Sequence, residues 1–212
     1  TSSSCTPDPR EVAMYNRVVT LSGVQDPDAA LAYVQETALS ALRGQKGYKG
    51  LSVSADRANG VMGTLSMWET EADRDASDSA LAKLREDAQA KFATDMRVDS
   101  FEDRVLEMSK PPAVGNRLMV TRISMDPAKV DEILERFKQE VLPQIKAAPG
   151  FRTLRNMINP QTGEGLVGSI WDDEQSMQAA AEAAMARRQE ATARGVNFGE
   201  TSYREIIFVD MT

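Results

Sequence analysis

Few side chains in this 212-residue sequence could do chemistry, and the best candidates come in pairs. Trp68 and Trp171, the only tryptophans, each follow a serine by two residues, Ser66 and Ser169. Strand alternation puts Thr64, Ser66 and Trp68 on one face, and likewise Val167, Ser169 and Trp171. A broad ring beside a small hydroxyl gives a planar ligand room and a hydrogen-bonding group, while plain packing of the indole against a helix would use the same residues. Asn16 and Asn116 carry neutral amides that could orient a phenol or ketone oxygen, or could satisfy a backbone group at a strand end. Arg74, six residues beyond Trp68, would favour an anionic phenolate, and its counterpart after Trp171 is the apolar Met177. The difference predicts that a ligand prefers the first site. Arg17 and Arg117 alternate away from the asparagines and suit ion pairs at a rim. Arg85 and Arg188 fall in polar stretches and read as surface pairs.

Other chemistries are excluded by what the sequence lacks. It contains no histidine, which removes Ser-His-Asp triads, imidazole bases and histidine-ligated zinc or haem. The acidic run Glu69, Glu71, Asp73, Asp75, Asp78 lacks the glycine and spacing of a calcium loop and reads as a solvated helix start, so no metal is expected. The 11 methionines read as flexible core filling. A net charge of −7 speaks against nucleic acid or an anionic membrane as partner. No apolar run is long enough to span a bilayer, and a lone Cys5 points to a reducing cytoplasm.

The elements that must position these residues are duplicated. Asn16-Arg17 recurs as Asn116-Arg117 and Asp26-Pro27 as Asp126-Pro127, 100 residues later. From Gly47 onward the offset is 103, pairing Gly47 with Gly150, Leu51 with Leu154, Gly60 with Gly163, Ser66 with Ser169, Trp68 with Trp171, Arg85 with Arg188 and Glu102 with Glu205. The change of offset requires three extra residues in the first helix of the second copy or the loop after it. Each copy reads strand, helix, strand, strand, helix, strand. β-Branched residues mark Tyr15–Val24 and Asn116–Met125 as strands, and Asp-Pro pairs then open helices. Asn59-Gly60 and residues 160–163 turn hairpins, and alanine-rich helices follow the tryptophans. The expected organisation is a polar tail over 1–13, a first unit over 14–110, a linker over 111–114 containing Pro111-Pro112, and a second unit over 115–212. The fold class is α+β: tandem ferredoxin-like (βαββαβ) units whose sheets cover one another with helices outside, an intramolecular pseudo-dimeric α/β barrel.

With Asn-Arg at strand one, glycine-aromatic at the start of strand two (Gly47-Tyr48, Gly150-Phe151) and Ser-x-Trp closing strand three, the chain resembles the dimeric α/β-barrel superfamily. Within it the chain resembles the antibiotic-biosynthesis monooxygenase group, in two tandem copies where most members have one and dimerise. The resemblance implies a cofactor-independent monooxygenase acting on a small aromatic substrate between sheet and helices. Asn16, Trp68, Asn116 and Trp171 would be its catalytic residues, and Thr64, Ser66, Arg74 and Ser169 its substrate-binding ones. The sequence departs from the group where Thr64 and Val167 stand four residues before each Trp in place of Asn, and Arg74 and Met177 six after in place of Tyr. Haem-degrading members of the superfamily use a histidine ligand that this chain lacks, so no cofactor is expected. The alternative is a non-catalytic small-ligand-binding or structural barrel, a monomer by virtue of its internal pseudo-dimer or a homodimer.

Overall fold

The computed structural model describes residues 14–211, so the tail expected over 1–13 lies outside the described residues. Eight strands run in the order expected: β1 (Tyr15–Ser22), β2 (Tyr48–Asp56), β3 (Val61–Trp68), β4 (Asp95–Met108), β5 (Arg117–Ser124), β6 (Phe151–Ile158), β7 (Glu164–Trp171) and β8 (Asn197–Met211). All neighbours are antiparallel, and the strands close in the order β1-β3-β2-β8-β5-β7-β6-β4. Each copy thus contributes a sheet in the order 4-1-3-2, and the copies are joined at both edges, β2 to β8 and β4 to β6. Closure leaves no unpaired edge for another strand to extend. The α+β tandem barrel is therefore observed.

Helices lie on the outer faces. The first helix of each copy is interrupted by a five-residue π stretch: α1 (Pro27–Tyr33) and α2 (Leu39–Arg43) flank Val34–Ala38, while α4 (Val130–Arg136) and α5 (Leu142–Ala147) flank Phe137–Val141. The three extra residues of the second copy form a 3-10 turn, Pro127–Lys129, ahead of α4. Asp26 and Asp126 cap these starts by accepting from the backbone N–H of Ala29 and Ala128. The long helices are α3 (Glu71–Phe92), capped by Thr70, and α6 (Glu174–Ala193), capped by Asp173. Gly47 and Gly150 sit at φ +74, where a Cβ would collide with Asp73 and Ser176 of those helices. This close approach fixes each helix start against the end of the preceding hairpin.

Three apolar layers result. One lies between the first sheet and its helices, around Leu51, Val53 and Trp68. A second lies between the second sheet and its helices, around Leu154, Ile158 and Trp171. The third fills part of the barrel axis with Val18, Phe101, Met157 and Leu166. Among the described residues no helix is long and apolar enough to cross a membrane, and no group of three His, Cys, Asp or Glu is placed to hold a metal ion.

Candidate active site

Each Ser-x-Trp motif forms a closed local unit. Trp68 Nε1 donates to Ser66 Oγ at 3.1 Å and Trp171 Nε1 to Ser169 Oγ at 3.0 Å, so the serine satisfies an indole N–H that burial would otherwise strand. The rings stand edge-on against Tyr48 and Phe151, with centroids 5.8 and 5.7 Å apart. Both tryptophans are buried on the helix side of their sheet and line a cavity there. The glycine-aromatic and Ser-x-Trp motifs are therefore one packing device, repeated, at the closed end of each cavity.

The two cavities differ in size. The first-copy space is about 90 Å³, whereas that between β5–β8 and helices α4, α5 and α6 is about 690 Å³. The offset of 103 explains why. Tyr33 and Phe92 fill the first copy with rings 5.5 Å apart, and Leu81 and Leu84 pack beside them. Their counterparts in the second copy are Arg136, Gly195, Ala184 and Arg187. Four large ring or branched side chains have become small or long-stemmed and polar at the ends. The larger space thus lies in the second copy, whereas the sequence pointed to the first as the site a ligand prefers.

Polar groups follow the space. The counterpart of Val53, which is wholly buried among apolar side chains, is Asn156. Asn156 is 4% exposed, lines the large cavity, and its buried Oδ1 has no hydrogen-bond partner. Val19, which stands opposite Thr64, becomes Thr121, opposite Val167. In the first copy Arg85 pairs with Asp78, which also takes Arg17. In the second, Ala181 replaces Asp78, and Arg188 is released from a carboxylate. Its Nη2 donates to Thr121 Oγ1 at 2.8 Å and its guanidinium lies 5.6 Å from the Phe198 ring centroid. Arg187 also lines the cavity, and burial, with Arg188 nearby, lowers its pKa. Among the described residues neither guanidinium has a carboxylate oxygen within 4 Å, so the cavity carries net positive potential over apolar walls such as Met119, Phe137 and Val167.

The residues expected from the sequence are only partly gathered. Trp68, Thr64 and Ser66 line the small cavity, and Trp171 and Ser169 the large one. Asn16 and Asn116 are on the other side of the sheets. Cross-strand partners share a face, and Trp68 lies opposite Tyr15 rather than Asn16, as Trp171 lies opposite Arg117 rather than Asn116. Asn16 Nδ2 donates to Asp103 Oδ1 at 3.0 Å, and Asn116 Oδ1 accepts from the Ala113 N–H at 2.8 Å, holding the linker. Arg74 does not reach the small cavity. It donates to the Phe101 carbonyl, pairs with Glu71 and Asp75, and stacks over Tyr15. Arg188, expected on the surface, lines the large cavity instead. Thr121 and Asn156, which sequence reading passed over, were detectable as polar replacements of Val19 and Val53 when the copies are compared position by position, and the role of Arg188 was signalled only by the loss of Asp78 at Ala181.

Residues 117–190, in the second half, match the family model for antibiotic biosynthesis monooxygenase. The chain is 26% identical over 151 residues to the uncharacterized protein Rv2557 of Mycobacterium tuberculosis (strain ATCC 25618 / H37Rv), spanning 71% of this chain and 67% of that one. It is 28% identical over 132 residues to Rv2558 of the same strain, 62% of this chain but only 56% of that one. Among solved structures, an anthrone oxidase-like protein superposes with a TM-score of 0.68 at 15% identity over 93% of each chain. A heme-binding protein of Thermus thermophilus gives 0.55 at 12% identity over 92% of each. The heme-degrading enzyme LmHde of Listeria monocytogenes gives 0.52 at 11% over 90% of this chain and 98% of that one. At these identities the likeness is one of fold.

Proposed function

We propose that the chain is a cofactor-independent monooxygenase whose substrate, a fused-ring phenol of the hydroxyanthrone type, binds in the second-copy cavity beside Trp171. The observation that carries this reading is the cavity of about 690 Å³ beside Trp171, lined by Asn156 and by two guanidiniums that have no carboxylate partner among the described residues. The Asn156 amide in the cavity wall can exchange a hydrogen bond with a phenolic O–H. The positive potential of Arg187 and Arg188 calls for a second oxygen that ionises, lowering the pKa of the bound enol. The flat apolar remainder fits against Trp171, Phe137 and Val167, and the volume lies within the range usual for small-molecule sites.

The chemistry needs little more from the protein. Ionisation of the keto tautomer gives an enolate with carbanion character at the ring methylene. Dioxygen adds at that carbon and the peroxide O–O bond breaks. One oxygen stays as the new carbonyl, and the other leaves as water with the two methylene hydrogens. The substrate supplies all four electrons, so no reductant is required. With no histidine in the chain, the proton leaves to solvent at the exposed mouth, where Glu132, Glu140 and Glu190 line the opening. The test is oxygen uptake with a hydroxyanthrone, coupled to detection of the anthraquinone. Arg188→Met should lower kcat/KM by about tenfold or more and shift the pH profile upward, as loss of one charge-assisted contact does. Tight binding with no oxygen consumed would instead identify a non-catalytic ligand carrier.

A further inference from the structure

The barrel axis encloses a separate space of about 280 Å³, on the opposite side of the sheets from the cavity beside Trp171. Among the positions where its walls break the internal symmetry, one pair faces each other across the seam of strands. On one side Phe101 and Leu166 pack together in the axial apolar layer. By the offset of 103 their counterparts are Arg204 and Gly63, which again face each other. A Cβ on Gly63 would collide with Arg204 Nη1, so the glycine is what leaves room for the guanidinium. The two positions have changed together, from an apolar contact to a housed cation.

That cation is incompletely satisfied. Arg204 Nε donates to Ser202 Oγ at 2.7 Å, and among the described residues no carboxylate oxygen comes within 4 Å of the guanidinium. The neighbouring arginines of the same space each have a carboxylate partner, Arg97 and Arg122 sharing Asp99, and Arg155 pairing with Asp103. Glu200 and Asp56 act on Arg204 only from a distance, and burial lowers its pKa. Ser52, Ser54 and Ser202 line the same space, with the apolar Leu118 and Val120 beside Arg204 and Ser202 on the adjacent strand β5 and Val18 on the more distant β1. An unpaired guanidinium fork at the edge of an apolar chamber matches a planar anion with a hydrophobic body.

We propose that the barrel lumen beside Arg204 is a second ligand site, for a small organic carboxylate. The carboxylate lies against the two Nη atoms, the serine hydroxyls donate to its outer lone pairs, and the hydrocarbon part lies along Val18 and Val120. The lumen reaches solvent past Asp95, Arg97 and Glu200, all exposed, which gives a route of access.

Calorimetric titration of the whole chain with benzoate, and separately with the neutral isostere benzamide and with inorganic phosphate, tests this. Benzoate should bind saturably, at least about tenfold more tightly than either of the other two, since a charge-assisted pair is worth that much. Arg204→Met should abolish the difference. The double variant Gly63→Leu with Arg204→Phe rebuilds the apolar pair of the other side, and should fold and lose benzoate binding together. Arg188→Met, in the outer cavity, should leave benzoate binding intact. Equal binding of benzoate and benzamide, tighter binding of phosphate, no binding of benzoate, or binding that survives both Arg204 variants would overturn the proposal. So would loss of benzoate binding in Arg188→Met, which would move the ligand to the outer cavity.

Discussion

Asn156 buries an acceptor without a protein partner where its counterpart Val53 holds none, at a cost of roughly 1–3 kcal/mol for the unmade hydrogen bond. Replacing it with the residue of the other copy should therefore stabilise the fold while weakening the ligand. For Asn156→Val we expect a higher urea midpoint with an unchanged slope, and at least about tenfold weaker binding of a hydroxyanthrone. A lower midpoint would mean that the amide is satisfied structurally. Side-chain identity was legible at this scale and side-chain direction was not. Asn16, Asn116, Trp68 and Trp171 were all visible as repeated residues, yet which sheet face each occupies depends on cross-strand register. Tyr15 faces Trp68 across the ladder, and that one-residue parity turns Asn16 toward Asp103 and away from the cavity. Arg74 was misplaced for a similar reason: the first turn of α3 directs it to the Phe101 carbonyl and the Tyr15 ring.

At the scale of elements, the order of strands and helices followed from the repeat, because alternation, Asp-Pro starts and a glycine-ended hairpin turn agree in both copies. The π stretches Val34–Ala38 and Phe137–Val141 did not announce themselves, since nothing in helix periodicity marks a wider turn. They recur at equivalent positions, so they belong to the shared fold, and only the second borders a large space, through Phe137 and Val141. What opens that space is the face of α6. Ala184 stands where Leu81 closes the first copy, and restoring the leucine should refill part of the cavity. Ala184→Leu is expected to reduce hydroxyanthrone affinity by about tenfold or more, with thermal stability unchanged or raised, because the methylenes enter empty volume and displace no packed neighbour. A marked loss of stability in calorimetry would show that the space is not there.

The whole molecule is one barrel because each sheet edge is completed by the other copy, and ion pairs reinforce the seam. Asp210 of β8 accepts from Arg43 Nε at 3.2 Å and from the Tyr48 hydroxyl at 2.9 Å, joining the last strand to the first copy. The bond from Arg43 holds its carboxyl below the ordinary carboxylate value, while burial and then the same carboxylate raise the Tyr48 phenol. A carboxylate depressed in the folded state binds fewer protons there than in the unfolded chain. Its stabilisation is therefore present above the unfolded value, near pH 4, and is lost as pH falls through the lower folded value. Asp210→Asn should lower stability at pH 7 and flatten the fall in melting temperature below about pH 4. An equally steep acid limb in the variant would remove Asp210 from that role.

The two tryptophans report on the two outer cavities separately, which allows the asymmetry of the barrel to be measured. Trp68→Phe leaves Trp171 beside the large cavity as the only indole, and Trp171→Phe leaves Trp68 beside the small one. A fluorescence titration of each variant with a hydroxyanthrone, after both are shown to fold, reads which side the ligand enters. The emission of Trp171 should be quenched saturably, with the same midpoint as in the unaltered chain, while Trp68 responds weakly or not at all. Saturable quenching of Trp68 with an unaffected Trp171 would contradict the placement of the site in the second copy.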